Sequence, residues 1–554
     1  MKKSQRFAVM IDSFTLARWK VESIKHLTEM KQLELCLVIL VDKQDQAIHP
    51  KTFFQIYSTI INKFVKSLEC INNGSLLKHL PVCSYQGSST EAAELLQKTE
   101  LDFILNLSES KASGFILNSV RHGVWRFTFH DFPRISKGPA FFWELYNHDP
   151  VICASLIQET DDSSTPKTLK KGCFATAADS LAAAKELVYS SVVKWPAYVC
   201  VELTSGNAET VQAPLQREPA EALAEPDARQ TLTLIGRLLK RKTISLFNKL
   251  FRYEYWNIGI IDQPINEVIS DAAPKIQWIV HDGNVYYADP FGYQRDGRTQ
   301  ILMEELDYKV VKGYISQVNL YLSNVNKKDA AVTSSVIRLP THMSYPYVVE
   351  HENEIYCVPE TSEEREVALY RLDAEGEKWL KEKTLLNNFP GVDSSLIQYE
   401  GRWWLFCTKA FESAQSQNND LHIYYSDDLL GEWLPHSCNP VKIDSRSSRP
   451  AGTPFIFKEK LYRPAQDCSR TYGGRVVVNQ IEKLTPTSFI ETPASFIHPR
   501  PDSAYPDGLH TIAKIGDVTI VDGKRFDYHF SHLYKKLYKF LPVKSQNPLP
   551  QRAE

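Results

Sequence analysis

The first 205 residues alternate short apolar runs with segments in which apolar residues recur at helical spacing. The apolar runs, which predict buried strands, lie at 7–11, 35–41 and 103–107. Helical spacing between these runs, and again over 179–193, predicts helices that cover the strands. Strand–helix alternation of this kind is typical of a parallel sheet flanked by helices. The pattern therefore predicts an α/β domain over 1–205.

A linker and a basic helix follow. Residues 206–229 are rich in Ala, Glu, Gln and Pro, a composition typical of linkers. Residues 234–251 combine Lys and Arg with apolar spacing and predict a helix, and 534–539 in the basic tail 529–554 have the same character. We favour a helix that packs one domain on the other, and keep open peripheral contact with a membrane surface. The linker and helix together span 206–252.

From residue 253 to 528 the helical spacing stops, and short aromatic and β-branched runs are separated by turn dipeptides. The dipeptides with the composition of hairpin turns lie at 282–284, 295–297, 352–354, 400–402 and 458–460. Beneath them is a weak repeat of about 50 residues, the length of a four-stranded blade. Its units begin at Ala288, Ser344, Val392, Arg449 and Asp507. Five such units predict an all-β five-bladed propeller.

The hairpin geometry predicts a polar site on one face of this propeller. The start of a first strand and the end of the second lie at the same end of a hairpin, and the first strand of each blade lines the central axis. The residues at these places are Asp289, Glu304, Glu360, Asp393, Arg449, Gln466, Asp467 and His510. Single members could instead satisfy backbone ends between blades. Converging carboxyls push their pKa values apart, which supplies the acid and the base that glycosyl transfer requires.

Composition narrows the class of protein. Apolar residues make up 43% and charged residues 23%, as in soluble globular proteins, and the formal net charge of −2 argues against a bulk nucleic-acid binder. The 11% of aromatic residues suits strands and also sugar sites. Ten cysteines without a CxxC motif predict neither a disulfide framework nor a zinc site, and no metal is expected. We expect a cytoplasmic protein with reduced cysteines, because no signal peptide or membrane span is recognisable.

The propeller residues carry a family resemblance. The stretches are Ser344-Tyr345-Pro346-Tyr347, Pro359-Glu360, Asp393-Ser394-Ser395, Trp403-Trp404-Leu405-Phe406, Tyr462-Arg463 with Gln466-Asp467, and Tyr472-Gly473-Gly474-Arg475. They resemble the N-terminal propeller of plant glucosamine inositolphosphorylceramide transferases and, more distantly, glycoside hydrolase family 43. The second resemblance implies Asp289 as base, Asp393 as the Asp that tunes pKa and orients the sugar, and Glu360 as acid, with Glu304 competing for that role. In the plant proteins a glycosyltransferase domain follows, which we do not recognise in this sequence.

The N-terminal domain is similar to formyltransferase-type, Rossmann-like domains. The similarity lies in 101–106, 121–125, 137–145 and 172–176. It implies 10-formyltetrahydrofolate as a cofactor. It also implies three residues around the transferred formyl group, namely an Asn, a His two residues later and a distant Asp. Arg126 stands in the place of the Asn and Thr128 in that of the His, whereas Asp161 or Asp162 matches the Asp. Either a shifted register uses Thr128 and His130, or the domain is a degenerate docking module.

Three functions remain open at this point. The first is a carbohydrate-active enzyme, a glycosyltransferase or glycosidase-like protein that builds a glycan or glycoconjugate. The second is a formyltransferase acting on an amino sugar, with the propeller binding the acceptor. The third is a pair of binding modules without catalysis. In each case the partner is a sugar or glycoconjugate, and the predicted substrate-binding residues are Glu304, Arg449, Gln466, Asp467, His510 and Tyr345.

Overall fold

A computed structural model describes most of the chain. The described residues are 4–41, 50–85, 95–96, 98–112, 114–132, 135–160, 166–176, 179–204, 221–270, 274–279, 285–295, 297–307, 312–320, 332–413 and 415–528. Their strands form one large sheet of seven strands, two small two-stranded sheets, four sheets of four strands and one of five. The large sheet belongs to an N-terminal unit, and the five similar sheets are the blades of a propeller.

Short apolar strands build the N-terminal unit. They are β1 (Gln5–Ile11), β2 (Thr15–Ala17), β3 (Leu33–Val41), β4 (Cys70–Asn72), β5 (Val82–Tyr85), β6 (Phe103–Asn106), β7 (Val124–Thr128), β8 (Ile135–Lys137), β9 (Val151–Gln158), β10 (Lys167–Ala175) and β11 (Glu221–Ala222). The large sheet has the order β10-β9-β7-β6-β1-β3-β5. Strands β5, β3, β1, β6 and β7 run parallel, whereas β9 and then β10 are added antiparallel. The parallel strands predicted from the sequence are present, and the formyltransferase-type assignment stays a prediction.

Strand β1 is central because every residue from Phe7 to Ile11 is apolar and fully buried. A strand buried on both faces requires helices on both sides. The described helices of the chain are α1 (Arg18–Thr28), α2 (Phe53–Asn62), α3 (Gly74–Leu77), α4 (Phe142–Asn147), α5 (Leu181–Ser191), α6 (Trp195–Thr204), α7 (Ala228–Phe251), α8 (Ile265–Val268) and α9 (Ser416–Asn419). Helix α7 begins six residues before the predicted helix, because Asp227 and Gln230 form a capping box at its start. No described helix is long and apolar enough to cross a membrane.

The propeller strands occupy the second half of the chain. They are β12 (Arg252–Ile261), β13 (Gln277–Trp278), β14 (Val285–Arg295), β15 (Arg298–Asp307), β16 (Lys312–Leu320), β17 (Val332–Ile337), β18 (Ser344–His351), β19 (Glu354–Glu360), β20 (Glu366–Leu372), β21 (Trp379–Asn387), β22 (Gly391–Tyr399), β23 (Arg402–Lys409), β24 (Asp420–Ser426), β25 (Leu434–Pro435), β26 (Lys442–Ile443), β27 (Phe455–Phe457), β28 (Lys460–Asp467), β29 (Arg475–Thr485), β30 (Ser488–Ile497), β31 (Ile512–Ile515) and β32 (Val518–Tyr528). The predicted five-bladed propeller is confirmed.

Each blade is an antiparallel sheet. Blades 1 to 4 consist of β14–β17, β18–β21, β22–β26 and β27–β30. Blade 5 combines strands from both ends of the propeller segment, in the order β13-β12-β32-β31. Ten residues of β12 pair with β32, from Arg252 opposite Tyr528 to Ile261 opposite Thr519. This pairing closes the ring and leaves no unpaired edge between the first and last blades.

Three of the predicted turns are two-residue hairpin loops. Glu352-Asn353, Glu400-Gly401 and Lys458-Glu459 each connect two paired strands, and both residues of each loop have a positive φ. This is the backbone of a type I′ turn, whose twist matches that of the flanking strands. The predicted turn at 282–284 lies outside the described residues. The dipeptides with turn composition thus predicted three hairpins correctly.

The two units are in contact along the edge strand β10. The carbonyl of Cys173 accepts a hydrogen bond of 3.0 Å from the Ser445 amide, and Lys170 Nζ donates to the Pro440 carbonyl at 3.0 Å. Lys194 forms an ion pair with Glu412 nearby. These contacts dock the N-terminal unit on the side of blade 3.

One expectation about cysteines is wrong. Cys153 and Cys173 are directly opposite each other on β9 and β10 and form a disulfide. Facing positions on an antiparallel pair bring the two Cα atoms within 4.2 Å, and sequence spacing alone does not reveal that pairing. The other eight cysteines are free, and seven of them are buried.

Candidate functional site

The first strands of blades 1, 2 and 3 carry a β-bulge at the same place. The bulged residues are Asp289, Tyr345 and Asp393, with φ values of 51°, 46° and 51°. In each blade two residues of the first strand lie opposite one residue of the second. Left-handed φ is uncommon for residues with a side chain, and a bulge changes the direction in which a side chain points. As a result all three side chains contact other blades.

Asp289 lies against blade 5. Its Oδ1 accepts a hydrogen bond of 2.8 Å from Thr511 Oγ1 and lies 3.3 Å from His510 Nε2. The backbone N–H of Asp289 donates to Asp522 Oδ2 at 3.2 Å. Asp522 Oδ2 also lies 2.5 Å from His510 Nδ1. His510 is therefore clamped between two carboxylates, and all three side chains are buried.

Asp393 is held by blade 4. Arg449 Nε donates to its Oδ2 at 2.6 Å, and Arg449 Nη2 donates to its Oδ1 at 3.3 Å. Gln466 Nε2 adds a third hydrogen bond to Oδ2 at 2.7 Å. Arg449 also contacts Asn418 and Tyr472. A two-point guanidinium contact fixes the orientation of a carboxylate, so Asp393 is a positioned anion.

Glu304 lies in the second half of β15, the second strand of blade 1, directly opposite Ala288. It is buried, and its Oε1 accepts a hydrogen bond of 3.4 Å from the Tyr286 hydroxyl. His342 Nε2 lies 3.5 Å from the same oxygen. Gly313 leaves room for this carboxyl, since a Cβ at that position would lie 2.6 Å from Glu304 Oε1.

Glu360 holds the corresponding position in blade 2, opposite Ser344. Its Oε1 accepts a hydrogen bond of 2.7 Å from Ser362 Oγ. Its Oε2 is buried and has no hydrogen-bond donor among the described residues. The Glu360 carboxyl lies close enough to Asp393 to raise the pKa of Asp393.

The carboxyls of the site have raised pKa values. Burial raises the pKa of Asp289 to about 6, with Asp393 and Asp522 acting in the same direction and His510 opposing them. Burial also raises the pKa of Asp393 to about 6, opposed by Arg449. The pKa of Glu304 lies well above its usual range because of burial and the neighbouring carboxylates. Glu304 is thus the carboxyl of this group best suited to carry a proton at neutral pH.

His510 has the opposite role in the charge balance. Burial lowers its pKa, but Asp522 and Asp289 outweigh that effect, so the pKa of His510 is raised. The Trp256 ring lies over the imidazole, with the two centroids 4.1 Å apart. When it is protonated, His510 is a cation between two carboxylates, which orients Asp289 and partly compensates its charge.

Two of the predicted binding residues have structural partners instead. The Tyr345 hydroxyl is 2.8 Å from Ser395 Oγ and accepts a 2.5 Å hydrogen bond from the Gly452 amide, so it ties blade 2 to blades 3 and 4. Asp467 accepts hydrogen bonds from Ser469 and pairs with Arg475 at 2.8 Å. Asp467 points to the opposite side of β28 from Gln466, because neighbouring residues of a strand alternate.

Sequence reasoning missed Asp522, Trp256 and Tyr472. Asp522 lies near the end of the hairpin of blade 5, so the rule that found Glu304 and Glu360 could also have found it. Trp256 and Tyr472 gave no such signal, because their rings reach the site from outside the repeated positions. The Tyr472 centroid is 5.0 Å from the Arg449 guanidinium and 5.3 Å from the His510 ring, and the residue is 37% exposed.

One group of side chains has the spacing of metal ligands. Within the described part of the chain, Asp289, His510 and Asp522 are the set whose ligand atoms all lie within 4.8 Å of one another. The hydrogen bonds and ion pairs above already account for these atoms. We therefore treat the group as a proton-sharing cluster.

Of the predicted formyl-transfer residues, the structure describes Thr128 and His130. Thr128 ends β7, opposite Ser155, and His130 follows two residues later. His130 Nδ1 is buried without a hydrogen-bond partner among the described residues, and burial lowers the pKa of the ring. Asp161 and Asp162 lie outside the described residues. The formyl-transfer assignment and its folate cofactor stay predictions.

Arg126, which stands in the place of the family's Asn, is engaged elsewhere. Its Nη1 lies 3.4 Å from Glu159 Oε1. Glu159 Oε2 accepts a 2.9 Å hydrogen bond from the Ala112 amide, and both of its oxygens are 3.4 Å from Asn106 Nδ2. This buried network joins the ends of β6, β7 and β9.

Comparison with known proteins gives matches in the propeller. Residues 265–504 match the family model described as glucosamine inositolphosphorylceramide transferase 1, N-terminal. Glucosamine inositolphosphorylceramide transferase 1 of Oryza sativa subsp. japonica is 44% identical over 156 residues, which are 28% of this chain and 21% of that protein. The Arabidopsis thaliana protein of the same name is 36% identical over 157 residues, covering 28% of this chain and 20% of that protein. The chain thus spans about a fifth of the length of the curated relatives it matches. The propeller resemblance is confirmed.

Among solved structures, a family 117 glycoside hydrolase from Zobellia galactanivorans matches with a TM-score of 0.31 and 14% identity, over 50% of this chain and 91% of that one. The α-L-arabinofuranosidase PaAbf62A from Podospora anserina gives a TM-score of 0.32 and 10% identity, over 43% of this chain and 80% of that one. We draw no chemistry from these two matches. The blades are established by the sheet topology itself.

Proposed function

We propose that this protein makes or breaks a glycosidic bond of a glycoconjugate at the acidic end of the propeller axis. The observation that carries this proposal is a pair of neighbouring buried carboxyls of different character. Asp289 has a pKa of about 6 and is mostly ionised at neutral pH, whereas the pKa of Glu304 is raised well above its usual range. Glycosyl chemistry needs such an acid and such a base.

The residues have distinct roles in this proposal. Asp289 accepts the proton of the attacking hydroxyl, held in place by Thr511 and His510. Glu304 donates a proton to the leaving oxygen, so that the bond to the sugar breaks without release of an alkoxide. Asp393 stays ionised against Arg449 and stabilises the positive charge that develops on the sugar ring.

Glu360 is the competing acid. The family resemblance assigns it this role, and its Oε2 accepts no hydrogen bond from the described residues. Its negative charge also raises the pKa of Asp393. Burial and the raised pKa favour Glu304, and the two alternatives are separable by mutation.

Tyr472 is the aromatic residue suited to bind the sugar. It is 37% exposed, and Arg449 and His510 lie beside its ring. The apolar face of a pyranose packs on such a ring. The name of the relatives suggests the acceptor class, a ceramide lipid that carries an inositol phosphate.

The experiment uses the full chain with radiolabelled nucleotide sugars and inositolphosphorylceramide, and with glycosylated forms of that lipid to detect hydrolysis. Product is measured for the wild type, Glu304→Gln and Glu360→Gln, with Glu350→Gln on the exposed part of β18 as matched control. We expect Glu304→Gln to lower kcat by about 100-fold or more and the control to retain full activity. A loss in Glu360→Gln alone would transfer the acid role to Glu360. Full activity in both variants would contradict the proposed chemistry.

A further inference from the structure

The described residues cover only one side of helix α7 (Ala228–Phe251). Thr231, Leu234 and Leu238 are buried against the N-terminal unit. The opposite side carries large apolar residues in contact with solvent. They are Leu232, Leu239, Ile244, Leu246 and Phe247, which are 58%, 62%, 48%, 59% and 50% exposed. Leu232, Leu239 and Leu246 are seven residues apart and therefore follow one line along the helix.

The charge of α7 is entirely of one sign. The helix contains six basic residues, Arg229, Arg237, Lys240, Arg241, Lys242 and Lys249, and no Asp or Glu. The whole chain has a formal net charge of −2, so this helix is a local exception. Lys240 and Lys242 are exposed beside Leu239. A helix that combines an exposed apolar line with unbalanced basic charge is typical of helices that lie in a lipid–water interface.

Helix α2 (Phe53–Asn62) packs beside α7 and shows the same combination. Its exposed apolar residues, together with the one that follows the helix, are Phe53, Ile56, Ile60 and Phe64, the last 74% exposed. Residues 51–68 contain three lysines and no acidic residue. Two neighbouring helices therefore present apolar side chains among positive charges.

We propose that α7, assisted by α2, docks this protein on an anionic lipid bilayer. The apolar side chains enter the boundary between headgroups and acyl chains, and the lysines and arginines contact lipid phosphates and carboxylates. The protein lies on the surface of the bilayer. This inference does not rest on the proposed glycosyl chemistry, although a surface-bound protein would hold its propeller near lipid-linked sugars.

Two other possible occupants of the exposed side of α7 are less compatible with its positive charge. A second copy that met α7 through a two-fold axis would place basic residues against basic residues, because the helix contains no Asp or Glu. The chain beyond Tyr528 starts close by, since Tyr528 stacks on Phe247 with the centroids 6.2 Å apart. However, residues 529–554 contain five Lys and Arg and one Glu, so they repel the helix as well.

The test is co-sedimentation of the full chain with two kinds of vesicle, phosphatidylcholine alone and phosphatidylcholine with about 30% phosphatidylserine. We expect binding to the anionic vesicles, and at least about tenfold weaker binding for the charge variant Arg229→Gln/Lys240→Gln/Lys242→Gln. The apolar variant Leu239→Ser/Leu246→Ser should lose a similar factor. Matched controls on the propeller surface are Lys458→Gln/Lys460→Gln/Lys514→Gln and Ile456→Ser/Ile490→Ser, which should bind like the wild type.

The outcomes are decisive in either direction. The substituted side chains are exposed, so circular dichroism should show unchanged folding and any loss of binding reports the surface itself. No binding to anionic vesicles, or binding that the α7 variants leave unchanged, would overturn the proposal. Concentration-dependent dimers in sedimentation equilibrium that the apolar variant abolishes, without vesicle binding, would assign the face to a second copy. None of these readouts depends on activity toward sugars.

Discussion

The propeller axis and the end of strand β7 are both predicted as functional sites, and their side chains have different kinds of partner in the structure. Around the axis, side chains from five blades lie close together. Asp289 and Thr511, although far apart in the sequence, form a hydrogen bond. At β7, Arg126 joins a buried network with Glu159 and Asn106. In a propeller, equivalent positions of the blades lie around one axis, so the repeat predicts which residues meet. A family motif on a single strand does not predict which neighbours its side chains contact.

The largest expected effect tests the ion pair at the axis. Arg449→Met removes the guanidinium that neutralises Asp393, which is 1% exposed, and leaves an unpaired buried carboxylate. Breaking such a pair costs about 3–5 kcal/mol. We expect a loss of this size in the free energy of unfolding of the propeller, measured by urea denaturation at pH 7.5.

The double variant Arg449→Met/Asp393→Asn is the control, because it removes both charges. It should recover more than half of the lost stability. A single variant as stable as the wild type would show that Asp393 is not held by this pair.

The corresponding substitution in the N-terminal unit should have a smaller effect. Glu159→Gln keeps the size of a side chain that bonds Ala112 and Asn106 but removes its charge opposite Arg126. We expect about 1–2 kcal/mol of destabilisation and unchanged glycosyl activity per folded molecule. Activity that falls with this variant would connect the two regions in a way that the structure does not indicate.

The pH dependence of stability tests the buried carboxyl of Asp289 at the propeller axis. The pKa of Asp289 is about 6 in the folded protein, above its ordinary value, so its burial costs least when it is protonated. Its contribution to stability is present at pH 4 and is lost as the pH rises through 6. His510, whose pKa is also raised, adds a loss at higher pH.

Thermal melts between pH 4 and 8 measure this effect. Asp289→Asn should flatten the decline of Tm between pH 4 and 7 by a few degrees. A matched Asp517→Asn variant in an exposed hairpin of blade 5 should keep the slope of the wild type. Parallel curves for all three proteins would mean that Asp289 titrates normally.

The smallest effects are expected at the predicted formyl-transfer residues. Thr128→Val and His130→Gln alter side chains that make no contact with the propeller site. Both should change kcat/KM for the glycoconjugate by less than about twofold, since distant positions act independently. A larger loss in either variant would revive the N-terminal unit as part of the active site.

Much of the fold was predictable because its signals are local. The composition of the hairpin loops at Glu352-Asn353, Glu400-Gly401 and Lys458-Glu459 and the period of the repeat are enough to predict the blades. The disulfide between Cys153 and Cys173 was not predictable, because it depends on which strands pair and in which register. The start of α7 differs from the predicted one because its capping box, Asp227 with Gln230, lies at the end of the segment with linker composition.

The site was predicted in part. Asp289, Glu304, Glu360, Asp393, Arg449, Gln466 and His510 follow from the hairpin rule and make the contacts described above. A proline follows the bulged residue in blades 1 and 2, at Pro290 and Pro346, and a proline inside a strand indicates a bulge, whereas Ser394 after Asp393 gives no such signal. Tyr345 occupies the same bulge but bonds the scaffold, which shows that position alone does not assign a role.

The central claim is that Asp289 acts as the base of a glycosyl reaction. The most direct measurement is kcat/KM from pH 4.5 to 8.5 for the wild type and Asp289→Asn on the glycoconjugate that the wild type converts. The account predicts that the wild-type rate rises with pH through about 6, as Asp289 loses its proton, and that Asp289→Asn is slower by about 1,000-fold or more. A wild-type rate without a step near pH 6, together with an Asn variant within twofold of it, would contradict the account.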